Sequence, residues 1–363
     1  MNDFLSIQSL LKSHNITGRY VHVKTISSLL TSFDATQIGE SVEKRPIHSI
    51  DMGNGPIKIL MWSQMHGNES TATKGLLDAL SYLKQKPSLL ELFTLRIIPI
   101  LNPDGAAAYT RVNANDIDLN RDAVNKTQPE SKLLIETYQA FNPHYCFNMH
   151  DQRTIFGVND FPCMLSFLAP AADMAKTITA ARKSAMGVIG YIQKTLQPHI
   201  SNQVGRYDDS FNPNCMGDYF MAKGTPTLLF EAGQVEQDYA REKTRKWFAF
   251  SVLEALKCIS LNLHIPSIYL DIPQVEKSFV DVLILNLRYE GKLIDVALQY
   301  VEELKDAEIH FVPIIYRMGK LDSLQGHKKL DASSQTFTFS NKILEDSNAV
   351  WLADMLNLTQ YSH

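Results

Sequence analysis

Four apolar runs of strand length, each ending abruptly in polar residues, constrain this chain more than any other feature. Ile57-Lys58-Ile59-Leu60-Met61-Trp62 leads into His66-Gly67-Asn68-Glu69, and Leu95-Arg96-Ile97-Ile98-Pro99-Ile100-Leu101 leads into Asn102-Pro103-Asp104-Gly105. Tyr145-Cys146-Phe147-Asn148-Met149 leads into His150-Asp151-Gln152, and Pro226-Thr227-Leu228-Leu229-Phe230 leads into Glu231-Ala232-Gly233. Apolar runs of this length bounded by polar clusters read as strands. Between them the period becomes that of amphipathic helices, predicted over 70–84, 130–141 behind Pro129, 171–197 and 241–259. From about residue 46 to 264 the chain therefore reads as one α/β unit of βα repeats feeding a largely parallel sheet.

Different textures flank this unit. Phe4, Leu5, Ile7, Leu10 and Leu11 recur at helical spacing, so residues 1–45 read as a helical preface. After residue 264 the chain turns to β-branched and aromatic runs over 281–289, 309–317 and 335–340, with a helix-like piece over 296–305. Residues 265–363 read as a smaller, β-rich accessory domain.

Composition narrows the class of function. The chain has 35 basic and 39 acidic residues, and the net charge of -4 argues against a broad face for nucleic acid. The N-terminus, Met1-Asn2-Asp3-Phe4, carries an early acid and no signal-peptide core. Apolar runs such as Val282-Leu283-Ile284-Leu285 fall far short of the ~18 residues of a membrane helix, so a cytoplasmic protein with no membrane partner is expected. The cysteines, Cys146, Cys163, Cys215 and Cys258, form no Cys-x-x-Cys pair and read as reduced, with a Cys163 to Cys215 bridge left open.

In open α/β sheets the ligand crevice lies outside the carboxyl ends of the strands, where the polar clusters would meet. His66 and Glu69 on one turn, joined by His150 from another strand, suit zinc with a fourth position for water. Glu231 is then left as the base. The stretch from Arg111 to Asp122 reads either as a solvated loop or as a site where Arg111 and Arg121 present planar forks, helped by the Asn120 amide.

The ordered set His66-Gly67-Asn68-Glu69, Asn102-Pro103-Asp104-Gly105, Asp118-Leu119-Asn120-Arg121, His150 and Phe230-Glu231 resembles the M14 zinc carboxypeptidases over about residues 55–235. That resemblance implies a mixed, mostly parallel eight-stranded sheet flanked by helices, and one Zn2+ per chain held by His66, Glu69 and His150. It further implies Glu231 as general acid/base for a zinc-activated water, Arg111 steadying the oxyanion, and Asn120 with Arg121 gripping the C-terminal carboxylate of a peptide. Asn68 stands where several members carry arginine. The mobile tyrosine of the family has no clear match, Tyr207 within 207–211 being nearest and Tyr219 next. The compact spacing from Glu69 to His150 predicts shortened loops and an altered pocket.

Two other readings accompany the peptidase. The deacylase branch resembling aspartoacylase and succinylglutamate desuccinylase shares His-Gly-Asn-Glu and Asp-Leu-Asn-Arg, and would take an N-acyl amino acid; Asn102-Pro103-Asp104-Gly105 leans towards peptidases. A catalytically silent ligand-binding protein is the other. The C-terminal unit reads as an interaction module or as a cap that helps form a homo-oligomer. Asp151 is a candidate to orient a zinc ligand, Asp104 is a turn residue, and His144 is structural.

Overall fold

The computed structural model describes residues 15–333 and 342–358. The helix expected around Phe4 to Leu11 and the strand expected over 335–340 lie outside these residues.

The first unit contains β1 (Thr36–Glu40), β2 (Pro46–Met52), β3 (Ile57–Trp62), β4 (Phe93–Ile98), β5 (Tyr145–Asp151), a short hairpin of β6 (Gly157–Val158) and β7 (Phe161–Pro162), then β8 (Leu165–Leu168), β9 (Val204–Arg206) and β10 (Thr227–Ala232). Eight of these form one mixed sheet in the order β1-β2-β4-β3-β5-β10-β8-β9. Its centre, β4-β3-β5-β10, is parallel, whereas β2 runs against both β1 and β4, and β8 runs against β10 while lying parallel to β9. The helices are α1 (Ser27–Ser32), α2 (Thr71–Gln85), α3 (Pro103–Ala108), α4 (Pro129–Phe141), α5 (Ala180–Leu196), α6 (Met216–Ala222), α7 (Glu242–Leu261) and α8 (Pro266–Tyr269).

The alternation hidden inside each apolar run sorts its side chains between two layers. From β3, Ile59 and Met61 join Leu76, Leu80 and Phe248 of α2 and α7, while Leu60 and Trp62 point the other way onto Leu134 of α4 and Phe220 of α6. Both faces are dry, so the run shows no polar alternation in the sequence. The chain leaves β3 for β4 on one side and then crosses to β5 on the other. That reversal opens a crevice at the carboxyl ends of β3 and β5.

Several expectations need correction. The stretch read as a helical preface contains β1, whose residues pair antiparallel with β2 at the sheet edge. The helix expected over 171–197 begins only at Ala180, because the Thr179 hydroxyl accepts from the Arg182 N–H (3.1 Å) and the Asp173 carboxylate takes the Thr177 N–H (3.0 Å). The helix-like piece over 296–305 is the strand β12 (Lys292–Lys305). It lies between β11 (Phe279–Tyr289) and β13 (Glu308–Gly319), and its centre is covered on both faces, Val296 and Leu298 on one and Ala297 on the other. Such a strand loses its period-2 signature.

β14 (Gln325–Asp331) completes a second sheet in the order β13-β12-β11-β14, against which α9 (Val350–Met355) packs Leu352 and Ala353. This sheet is tied to the first unit through buried Asp281. The Asp281 carboxylate accepts from the Tyr239 hydroxyl (2.9 Å), the Thr154 hydroxyl (3.3 Å), the Tyr300 N–H (2.7 Å) and the Gln299 amide. Burial pushes the Asp281 carboxyl up to about 6.

Candidate metal centre and active site

The loop after β3 turns so tightly that the Glu69 N–H reaches the His66 carbonyl (3.1 Å), which puts both side chains on one side of a single turn. Backbone packing fixes the turn in place. A Cβ on Gly67 would lie 1.9 Å from the Gly105 carbonyl carbon, so only glycine lets the loop rest on the start of α3. Asn102-Pro103-Asp104-Gly105 is thus a support rather than part of the crevice. Asn102 caps α3 by accepting from the Gly105 N–H (2.8 Å), and Asp104 accepts from Ser41 (2.7 Å) and the Glu43 N–H (3.0 Å) in the β1–β2 turn. Of the four strand-end clusters, three converge.

His150 lies on β5 and Glu231 on β10, in parallel register with each other. The side chains of His66, Glu69 and His150 are buried and offer ligand atoms within 4.8 Å of one another. His66 Nδ1 stands 2.8 Å from Glu69 Oε1, His150 Nδ1 stands 2.8 Å from Glu69 Oε2, and the two Nδ1 atoms are 3.2 Å apart. Tetrahedral zinc with bonds of roughly 2.0–2.1 Å separates its ligand atoms by about 3.3 Å, so the cluster has the right size and donor chemistry. Two histidine nitrogens turned towards each other across a carboxylate are a poor arrangement for hydrogen bonding alone, and a cation reconciles them.

Asp118 completes the arrangement. Its Oδ1 lies 2.9 Å from His66 Nε2, and since a carboxylate only accepts, that nitrogen carries the proton and Nδ1 is left for the cation. Asp118 also receives Arg111 through Nε (3.2 Å) and Nη2 (3.1 Å), while Arg111 Nη1 reaches Glu69 Oε1 (3.2 Å). Burial alone would lift the Glu69 carboxyl, but His66 and His150 hold it well below the usual range. Glu231 has no such partners. Burial, with the nearby charges of Glu69 and Asp151, pushes its carboxyl well above the usual range, and its Oε2 has no hydrogen-bond partner among the described residues.

Asn120 and Arg121 sit on a short turn, Leu119–Arg121, at the other end of the crevice. Asn120 Oδ1 accepts from the Met216 N–H (3.0 Å), and Arg121 is anchored by Nη1 to the Asn120 carbonyl (2.7 Å) and Cys215 Sγ (3.0 Å). One cleft of about 590 Å³ is lined by all seven predicted site residues, His66, Glu69, Arg111, Asn120, Arg121, His150 and Glu231. Tyr207 lines it too, whereas Tyr219 packs away on Phe220. Burial and the charges of Glu231 and Glu69 push the Tyr207 hydroxyl up, so it stays protonated.

Asp118 is the residue whose role the sequence reading missed; its place in Asp118-Leu119-Asn120-Arg121 was the available signal. Asp151, expected to orient a ligand, instead accepts from the Thr71 (2.9 Å) and Ala72 (2.8 Å) N–H groups at the start of α2. It thereby steadies the helix that follows Glu69. None of the four cysteines is in a disulfide, so the Cys163 to Cys215 bridge is not formed. The His144 ring accepts from the Lys58 N–H (2.9 Å), a structural role as expected.

Residues 24–180 match the family model described as zinc carboxypeptidase. Carboxypeptidase 2 of Trichophyton tonsurans is 31% identical over 100 residues, 26% of this chain and 19% of that protein. Human carboxypeptidase D is 30% identical over 150 residues, 32% of this chain and 11% of that protein. The chain thus spans only a small part of the length of these relatives. Among solved structures, a metallo-carboxypeptidase from Burkholderia cenocepacia superposes with a TM-score of 0.52 at 18% identity, covering 66% of this chain and 68% of that one. Bovine thrombin-activatable fibrinolysis inhibitor, in complex with tick carboxypeptidase inhibitor, gives a TM-score of 0.55 at 13% identity, covering 67% and 98%. With the mixed eight-stranded sheet, these similarities relate residues 24–180 of this chain to the zinc carboxypeptidases and its first unit to their fold.

Proposed function

We propose that this chain is a zinc-dependent carboxypeptidase that removes the C-terminal residue of a peptide. The observation carrying this reading is the confluence in one cleft of the His66, Glu69 and His150 cluster, the Glu231 carboxyl with its unpartnered Oε2, and the Asn120 and Arg121 pair. His66, Glu69 and His150 would hold the zinc ion, which when bound acidifies water and polarises a carbonyl. Arg121 and Asn120 receive the free carboxylate of the peptide, a pairing that a planar guanidinium favours. This grip sets the terminal amide beside Glu231. Raised proton affinity equips Glu231 to take a proton from water and return it to the leaving amine. Arg111, its side chain half-exposed and aligned by Asp118, donates to the negative charge that develops on the carbonyl oxygen. Tyr207 stays a proton-bearing hydroxyl donor on the cleft wall.

The test is Glu231→Gln, which preserves shape and removes the base. Metal analysis should find one zinc per chain, while turnover falls by on the order of 10² to 10³ or more. Near wild-type turnover by this variant overturns the assignment.

A further inference from the structure

A second chamber of about 320 Å³ adjoins the cleft and shares Glu69, Arg111, Asp151, Gln152 and Arg153 with it. Its far wall comes from the C-terminal sheet, through Gln299, Tyr300, Val301 and Glu302 of β12 and Phe311 of β13. Two buried arginines, Arg19 and Arg241, also line it. Arg19 Nε and Nη1 and Arg241 Nε have no hydrogen-bond partner among the described residues, although Arg19 Nη1 approaches Glu302 Oε1 to 3.3 Å outside hydrogen-bond alignment. Buried N–H donors on a charged group are costly without an acceptor, so their presence beside an open chamber signals an anionic occupant.

The charge inventory points the same way. Arg19, Arg111, Arg153 and Arg241 face Glu69, Asp151 and Glu302. Each of those carboxylates is already engaged. Glu69 faces the two histidines, Asp151 takes the two backbone N–H groups of α2 and is shared between Arg19 (4.0 Å) and Arg241 (3.7 Å), and Glu302 accepts from the Tyr109 hydroxyl and pairs with Arg19. Arg153 is exposed where the two cavities meet and makes no ion pair among the described residues.

We infer that this chamber is an anion subsite on the acyl side of the substrate, accepting a carboxylate borne by the residue that precedes the scissile amide. The inference rests on the carboxypeptidase reading, which sets the C-terminal residue at Asn120 and Arg121 and leaves the space beyond Arg111 for the acyl side. The C-terminal sheet then acts in substrate selection, because β12 and β13 supply the wall that turns an open edge into a pocket.

Zinc-loaded full-length protein is assayed on two N-acetylated dipeptides that share a C-terminal residue and carry Glu or Gln before it. The expected kcat/KM ratio, Glu over Gln, is about tenfold or more, since an ionised partner roughly doubles the strength of a hydrogen bond. Val301 is 41% exposed on β12 and tests the wall without disturbing buried arginines. Val301→Lys should raise the ratio and Val301→Glu should lower it, each by about threefold or more. Calorimetric titration with glutarate, in an Arg121→Ala background that disables the other carboxylate grip, gives a binding readout free of catalysis. Binding should be present and weakened by Arg153→Gln. A ratio near one, unmoved by either Val301 change, with no glutarate binding, overturns the subsite while leaving the peptidase intact. Arg153-dependent glutarate binding in a protein that cleaves no peptide upholds the anion chamber and overturns the peptidase reading instead.

Discussion

Replacing Asp118 with asparagine isolates the contact that aims His66. The Asp118 carboxylate lies 2.9 Å from His66 Nε2, accepts from the Asn120 N–H at 2.8 Å and holds Arg111 through two N–H groups at 3.1 and 3.2 Å. Burial opposes its ionisation, yet His66 and Arg111 keep it well below the usual carboxylate range, so the charge is present at neutral pH. The Asp118→Asn change keeps the shape but loses the charge, and the new amide hydrogens face Arg111. Loss of such a supporting acceptor behind a ligating histidine typically weakens metal affinity by about 10- to 100-fold, equivalent to roughly 1.4–2.7 kcal/mol. The assay is zinc affinity by competition with a chromogenic chelator, alongside thermal unfolding to show that the fold is intact. A zinc Kd within about twofold of the wild type, in a folded variant, would refute the reasoning that Asp118 fixes the tautomer.

Three further outcomes are expected. Arg121→Ala should cut kcat/KM for free-carboxyl peptides by about 10- to 100-fold, mainly through KM, because a charged hydrogen bond is lost in both ground and transition states; steady-state kinetics with an unchanged KM would contradict the carboxylate grip. Asp281 has its carboxyl raised to about 6 from 3.8, so the fold binds its proton more tightly than the unfolded chain does and stability falls as pH rises from about 4 to about 6, by up to ~3 kcal/mol. Asp281→Asn should flatten that part of the stability profile, and an unaltered slope in parallel melts of the two proteins would show that burial does not hold the proton. Gly67→Ala forces a methyl group onto the Gly105 backbone and should cost about 2 kcal/mol or more, read as a lower Tm; a Tm equal to the wild type would mean that the loop has room to shift.

The eight-stranded sheet was legible because its central strands are buried on both faces, which leaves long apolar runs, and because the polar clusters sit where those runs stop. His66, Glu69, His150 and Glu231 each lie at or just beyond a strand end, and the structure gathers them at the carboxyl ends of the adjacent strands β3, β5 and β10. Residues whose role depends on a distant partner were harder to read. Asp118 acts on a histidine 52 positions away, and Asp151 caps a helix 80 positions away instead of orienting its neighbour His150. Nothing local marks either pairing. The same holds for β12, where Ala297 is buried within the second unit and Gln299 against Thr154 of the first, and the strand pattern is masked. The second chamber was out of reach of sequence because its walls come from Arg19, Arg241 and residues near 300, brought together only by the docking of the two sheets.

The central claim, cleavage at a free C-terminus, is tested most directly by mass spectrometry of one peptide in two forms, with a free or an amidated C-terminal carboxyl, incubated with the zinc-loaded protein. The account predicts loss of a single C-terminal residue from the free-carboxyl form, with the amidated form cleaved at least about tenfold more slowly because Arg121 and Asn120 have no carboxylate to hold. Equal cleavage of both forms, or release of an acyl acid from N-acylated amino acids with neither peptide shortened, would contradict it.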